Sequence, residues 1–111
     1  KLSDCITETI EDLENNNLVG PIVSHAGDGN FHVALLIDKN NKDELDKLEN
    51  FLVRLSERAI RMDGTCTGEH GVGQGKRKYM LKELGNAVEI MKQVKNAFDP
   101  DKIMNPGKLF L

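Results

Sequence analysis

The chain of 111 residues carries three histidines, each beside a glycine or inside a glycine-rich run. Two of them bracket the segment His25-Ala26-Gly27-Asp28-Gly29-Asn30-Phe31-His32, and the third lies in Gly68-Glu69-His70-Gly71. A two-residue turn at Asp28-Gly29 would set Ala26 opposite Phe31 and His25 opposite His32. A four-residue loop from Gly27 to Asn30 leaves the same pairing. Directly opposed residues have Cβ atoms roughly 4.5–5.5 Å apart on one face. Two imidazoles so placed can share one ion, at nitrogen–metal distances of about 2.0–2.1 Å for zinc. The plainer alternative is that they flank an ordinary hairpin and only stack or hydrogen-bond. A three-residue loop would also break the pairing, because it shifts the register by one residue.

Glu69 and His70 extend this chemistry. A carboxylate can complete a His, His, Glu ligand set with coordination positions left open for substrate. A neighbouring imidazole can then act as acid or base beside the ion, and adjacent side chains are expected to point in different directions. Taken alone, a Glu-His pair in a loop is usually solvent-facing, so this motif gains weight only beside His25 and His32. Other motifs fail. The run Gly71-Val72-Gly73-Gln74-Gly75-Lys76 is followed by Arg77 where a phosphate-binding loop needs Ser or Thr, and it matches no dinucleotide fingerprint. There is no His-Glu-x-x-His helix of the metalloprotease kind.

These residues need elements to hold them. Residues 3–14 read as an amphipathic helix with Leu2, Ile6, Ile10 and Leu13 inward and Ser3 as its cap. Strands are expected from Pro21 to Ala26 and from Phe31 to Ile37, with Ile22, Phe31, Val33, Leu35 and Ile37 on the face away from the histidines. Residues 42–62 form a long helix with the stripe Leu45, Leu48, Leu52, Leu55, Ala59 and Met62. Asn41 and Glu44 resemble a capping box at its start, and Gly64 ends it. Residues 64–75 hold five glycines and no periodicity, which marks a loop kept for something other than packing. A short basic helix over 76–84 follows, then a helix over 87–98. In the latter Asn86 and Glu89 form the cap, and Ala87, Ile90, Met91, Val94 and Phe98 face inward. Asp99-Pro100 stops it, and the tail from Ile103 to Leu111 reads as extended. Helix, hairpin, long helix and glycine loop define an α+β fold with helices on one face of a small antiparallel sheet. Two strands alone make a poor sheet, so further strands are expected elsewhere in a longer protein.

Composition sets the outer bounds. The chain is 39% hydrophobic and 30% charged, which is ordinary for a globular domain, and its length allows one small domain. A net charge of −3 argues against a general nucleic-acid binder. Residues 1–70 carry 7 basic and 14 acidic side chains, whereas 71–111 carry 8 and 4. The basic end either faces an anionic group or forms a solvated helix face. Cys5 and Cys66 form no C-x-x-C pair and read as free thiols in a reducing compartment, not a secreted setting. No transmembrane stretch or signal peptide is apparent. The first residue, Lys1, is consistent with a piece of a longer chain.

The three blocks HAGDGNFH, GTCTGEHGVGQGKR and DPDKIMNPGK, in that order over most of residues 24–108, resemble the C-terminal part of flavin-linked D-lactate dehydrogenases. These belong to the vanillyl-alcohol-oxidase-like flavoproteins. The Thr65-Cys66-Thr67 lead-in and Ala34 are more similar to the D-lactate branch than to the 2-hydroxyglutarate branch. The resemblance implies that residues 1–84 are the C-terminal portion of a ferredoxin-like substrate or cap domain, and that residues 85–111 are a helix and tail returning to an FAD domain. It implies His25, His32 and Glu69 as ligands of a divalent metal, zinc or manganese, His70 as catalytic base, and Asn105 beside the flavin of FAD. The implied substrate is a D-2-hydroxyacid, D-lactate first and glycolate or D-2-hydroxyglutarate as alternatives, and the isolated chain would be inactive. In a eukaryote the implied setting is the mitochondrion with cytochrome c as acceptor; otherwise it is cytoplasmic or membrane-associated. A different class of reading is a metal-binding domain without chemistry of its own. It would need a fourth protein ligand, for which no further histidine or paired cysteine is at hand.

Overall fold

The structure, a computed structural model, describes residues 1–110; the tail expectation at Leu111 lies outside them. Among the described residues the fold is α+β, with four α-helices and a two-stranded antiparallel sheet. The chain divides into two compact units, Lys1–Gly64 and Thr65–Leu111.

The first unit contains α1 (Leu2–Asn15), β1 (Ile22–His25), β2 (Asn30–Val33) and α2 (Lys42–Arg61). The start of α1 corrects one expectation. Lys1 is the N-cap, Ser3 lies inside the helix, and no side chain caps it. The buried faces of α1 and α2 also differ from the apolar stripes. Cys5, Thr9, Asp12 and Leu13 are buried on α1, and Phe51, Ser56 and Arg58 on α2, while Ile10, Leu45 and Leu52 are exposed. The reason is an ion cluster between the helices. Arg54 grips Asp12 through Nε and Nη2, at 3.0 and 2.7 Å to Oδ1, and Arg58 Nη2 donates to Asp12 Oδ2 at 2.7 Å. Arg58 Nη1 donates to Thr9 Oγ1, which itself donates to the Cys5 carbonyl. Charged residues rarely leave the surface of a protein, and they tolerate burial only when paired and hydrogen-bonded. Here the polar residues share the interface with Phe51, which is fully buried.

The ends of α2 follow local rules. Asn41 Oδ1 accepts from the amides of Asp43 and Glu44, an N-cap as expected. Glu44 reaches past Asn41 to accept from the Asp38 amide, so the reciprocal half of a capping box is replaced by a longer reach. At the other end Asp63, at φ 60°, makes the left-handed turn. The Gly64 amide then donates to the Ala59 carbonyl and the Asp63 amide to that of Ile60, which is a Schellman closure with Gly64 one position later than a glycine cap requires.

The second unit holds a 3-10 turn at Arg77–Tyr79, α3 (Met80–Leu84) and α4 (Ala87–Phe98) around a core of Cys66, Tyr79, Met80 and Val88. The basic helix expected over 76–84 is thus split. Asn86 is the N-cap of α4 but makes no side-chain cap bond. The predicted inward face of α4 is corrected as well: Val88 is buried, whereas Ile90 and Phe98 are 64% and 81% exposed. Hydrophobic periodicity finds the apolar side of a helix but not whether this chain covers it. The tail is a succession of turns, not an extended strand. Lys102, Asn105, Gly107 and Leu109 all have φ between 48° and 70°. Buried Asp99 organises it, accepting from the amides of Ile103 at 2.9 Å and Met104 at 3.1 Å while paired with Lys95. No helix among the described residues is long and apolar enough to cross a membrane.

Candidate metal centre and C-terminal cleft

The hairpin keeps the histidines on one face by a register other than the expected one. Ile22 pairs with Val33, Val23 with His32, Ser24 with Phe31 and His25 with Asn30. His25 and His32 are therefore diagonal neighbours, not directly opposed. The connecting loop is Ala26–Gly29, a 3-10 turn closed by Gly29 at φ 73°, whose amide donates to the Ala26 carbonyl. Both the expected and the observed loops hold an even number of residues. The pairing slid by two, so every side chain stayed on its face. Val23, His25, Asn30 and His32 share one side, and Ile22, Ser24, Phe31 and Val33 the other. The apolar side reaches α1: the Cβ that Gly20 lacks would lie 2.9 Å from both Leu35 and Val33, and 3.6 Å from Leu13.

The two imidazole centroids are 5.8 Å apart with planes at 88°. A ring bound through nitrogen places its centroid about 3.2 Å from the ion, so two rings on one ion cannot exceed roughly 6.4 Å. The pair fits that limit. His25 is exposed and His32 half-buried, so the face is open to solute. One atom of this face departs from ordinary chemistry: Asn30 Oδ1 is buried and has no hydrogen-bond partner among the described residues. Sequence reasoning treated Asn30 only as a turn residue, since nothing in its spacing distinguishes an acceptor from a hairpin corner.

In the second unit Glu69 and His70 converge instead of diverging, with Glu69 Oε1 3.4 Å from His70 Nε2. The segment carrying them is pinned on several sides. The Cys66 amide donates to Glu83 Oε2 at 3.1 Å, the His70 amide to the Thr67 carbonyl, and the Leu109 amide to the Gly73 carbonyl at 2.8 Å. Arg77 Nη1 holds the Gly107 carbonyl at 2.8 Å. The glycine segment and the tail are thus one structure. Burial, with Glu83 beside it, pushes the Cys66 thiol up to about 11. Burial works against the Glu83 carboxylate, but hydrogen bonds from Thr65 and Cys66 outweigh it and hold Glu83 below the usual range. Cys66 is consequently an inert thiol, and both cysteines are free and buried.

Asn105 lies in the tail at φ 48° and lines a cleft of about 370 Å³. Lys92, Lys95, Lys102 and Lys108 line this cleft; Lys95 is paired with Asp99 and Lys92 with Glu89, so the excess positive charge comes from Lys102 and Lys108. This gives the basic C-terminal end of the sequence a concave surface suited to an anionic group.

Comparison with known proteins places this arrangement in a family. Residues 1–109 match the model described as "FAD linked oxidases, C-terminal domain". The chain belongs to that family and is a C-terminal domain of a larger type of flavoprotein. It is 50% identical over 98% of its length to a Danio rerio protein named "Probable D-lactate dehydrogenase, mitochondrial". It is 46% identical over 97% of its length to "D-lactate dehydrogenase [cytochrome], mitochondrial" of Arabidopsis thaliana. A Bacillus subtilis protein, "Glycolate oxidase subunit GlcD", is 47% identical over 78% of the chain. The chain spans only 22%, 19% and 18% of these relatives, about a fifth of each.

Proposed function

We propose that this chain is the C-terminal catalytic portion of an FAD-dependent dehydrogenase that oxidises D-lactate, a D-2-hydroxyacid, to pyruvate. In this reading His25, His32 and Glu69 hold a divalent cation, zinc or manganese, His70 is the catalytic base and Asn105 lies beside the flavin. The observation that carries it is the open pair of imidazoles on one hairpin face, within a chain similar over nearly its whole length to proteins named D-lactate dehydrogenases.

The donor set suits such an ion. Two neutral imidazoles and one carboxylate leave net positive charge and open positions for a hydroxyl and a carboxylate oxygen. A divalent cation, when bound, supplies Lewis acidity that makes a coordinated hydroxyl easier to deprotonate. FAD, when bound, supplies the acceptor for the hydride lost from the substrate's Cα. The remaining work belongs to this chain. His70 takes the hydroxyl proton, as an imidazole can near neutral pH, and its contact with Glu69 orients the ring for it. The cleft beside Asn105, with Lys102 and Lys108 in its lining, would suit an anionic part of FAD. Residues 85–111 return to the FAD domain, which covers the exposed apolar side of α4, and residues 1–84 belong to the substrate side. Alone, the 111 residues are inactive. The mitochondrion and a cytochrome acceptor follow the names of the Arabidopsis and Saccharomyces cerevisiae relatives.

A second reading keeps the mechanism and changes the substrate to glycolate, favoured by the similarity to the GlcD subunit. Rapid-mixing flavin reduction in the full-length protein separates them, with D-lactate expected to reduce the flavin faster than glycolate. His70→Ala slows that reduction while metal content stays intact. Loss of metal in His70→Ala would move His70 among the ligands, and a protein whose flavin no D-2-hydroxyacid reduces would overturn the proposal.

A further inference from the structure

We infer that Asn30 is a positioning residue of the histidine face, its side-chain oxygen accepting the ring N–H of His25 when the other nitrogen of that ring holds a divalent cation. This rests on the metal reading above and adds to it a residue that supplies no ligand atom.

Three observations converge. Asn30 Oδ1 is buried without a partner among the described residues. A buried oxygen left unpaired is costly and rare, so such an atom points to a donor absent from the resting arrangement. Asn30 is also the cross-strand partner of His25 and lies on the same face as His32. Opposed residues have Cβ atoms about 4.5–5.5 Å apart, within reach of an asparagine side chain for an imidazole edge. The third is the chemistry of a ligating histidine. A neutral imidazole that binds an ion through one nitrogen carries its proton on the other, and that N–H takes a carboxylate, carbonyl or water as acceptor, which fixes tautomer and ring angle. His25 is an exposed ring whose orientation needs such fixing. A carboxamide serves without bringing a second negative charge to the ion. By contrast the backbone oxygen of Asn30 is already used, accepting from Ser24 Oγ at 2.9 Å, so the side chain has the remaining acceptor at this corner.

The test uses the full-length protein, stripped of metal and titrated with Zn²⁺ against a competing chromophoric chelator. Asn30→Leu, which keeps the shape and removes the acceptor, is expected to weaken Zn²⁺ binding by about 10–100-fold. Asn30→Asp, which keeps an acceptor oxygen at the same reach, retains or tightens the affinity. The melting midpoint of the metal-free protein does not fall in Asn30→Leu, because the oxygen it removes is unpaired there. If Asn30→Leu folds poorly, Asn30→Ala takes its place in the same titration. Unchanged Zn²⁺ affinity in the acceptor-free variant overturns the inference. So does a loss matched by a lower metal-free midpoint and not rescued by aspartate, since that is a purely structural role. His25→Ala separates the two levels. Its loss of Zn²⁺ beside an unaffected Asn30→Leu removes only the role of Asn30, whereas equal Zn²⁺ binding by His25→Ala and the parent protein removes the metal reading with it.

Discussion

The first unit contains two polar constellations built on opposite terms. Between α1 and α2, Asp12 receives Arg54, Arg58 and the Asn16 side chain, and Thr9 bridges Arg58 to the Cys5 carbonyl. Every partner is buried or half-buried and engaged. On the hairpin, an exposed His25 and a half-buried His32 have ring centroids 5.8 Å apart, and the buried Asn30 oxygen beside them has no partner among the described residues. A closed network of this kind fixes one packing of two helices and offers nothing to a ligand, since opening it exposes an uncompensated charge. The hairpin face instead keeps one buried acceptor, the Asn30 side-chain oxygen, without a partner among the described residues. Polar residues gathered in a fold therefore say little about function until their pairing has been followed atom by atom.

The contrast can be broken most forcefully at Asp12. Asp12→Ala leaves Arg54 and Arg58 without their carboxylate and should cost about 3 kcal/mol of local stability. Hydrogen exchange of α1 and α2 amides in the full-length protein would read this as lost protection, with Zn²⁺ affinity unchanged. Next in size, His25→Ala should weaken Zn²⁺ binding about 100-fold, roughly 2.7 kcal/mol, while leaving the α1 and α2 amides as protected as before. Metal binding undiminished in that variant would sink the ligand assignment. A smaller effect is expected at the cap of α2. Asn41→Ala removes the acceptor for two amides and should cost about 1 kcal/mol, seen as fraying of the first turn of α2 alone.

The mildest test is acid. Burial raises the Asp12 pKa, but the hydrogen bonds from Arg54 and Arg58 outweigh it and hold the group below its ordinary range. Its contribution is therefore complete above the unfolded carboxylate pKa, about 3.9, and is lost as pH falls through the lower folded value. Protection of α1 and α2 should decline below about pH 4, and Asp12→Asn should flatten that decline. A decline unaltered in Asp12→Asn would assign the acid sensitivity to another carboxylate.

The same contrast explains which residues were legible early. The histidine face depends on parity along seven residues, and the strand period of two kept His25 and His32 together although the pairing slid by two. Asn41 and the Asp99-Pro100 stop act over three or four residues, and both stand where the spacing put them. The Asp12–Arg54 and Asp12–Arg58 contacts join positions 42 and 46 apart, and no local pattern announces them. The α4 stripe is apolar as its spacing indicates, yet Ile90, Val94 and Phe98 are left exposed by the described residues, because covering a helix face is not a local property.

By itself the sequence determined the α+β element order, the shared face of the two histidines, the glycine segment with Glu69 and His70, and the likeness to FAD-linked oxidases. All of these follow from short-range periodicity, from turn chemistry or from contiguous motifs. Only the tertiary structure decided that the histidines are diagonal, that Asn30 keeps a buried oxygen unpaired, and that an ion cluster forms much of the α1–α2 interface. It also decided that the tail turns around Asp99 and is tied to Gly73. Each depends on which groups meet across the fold, and pairing of that kind is set by packing and by the cost of leaving a buried polar group alone.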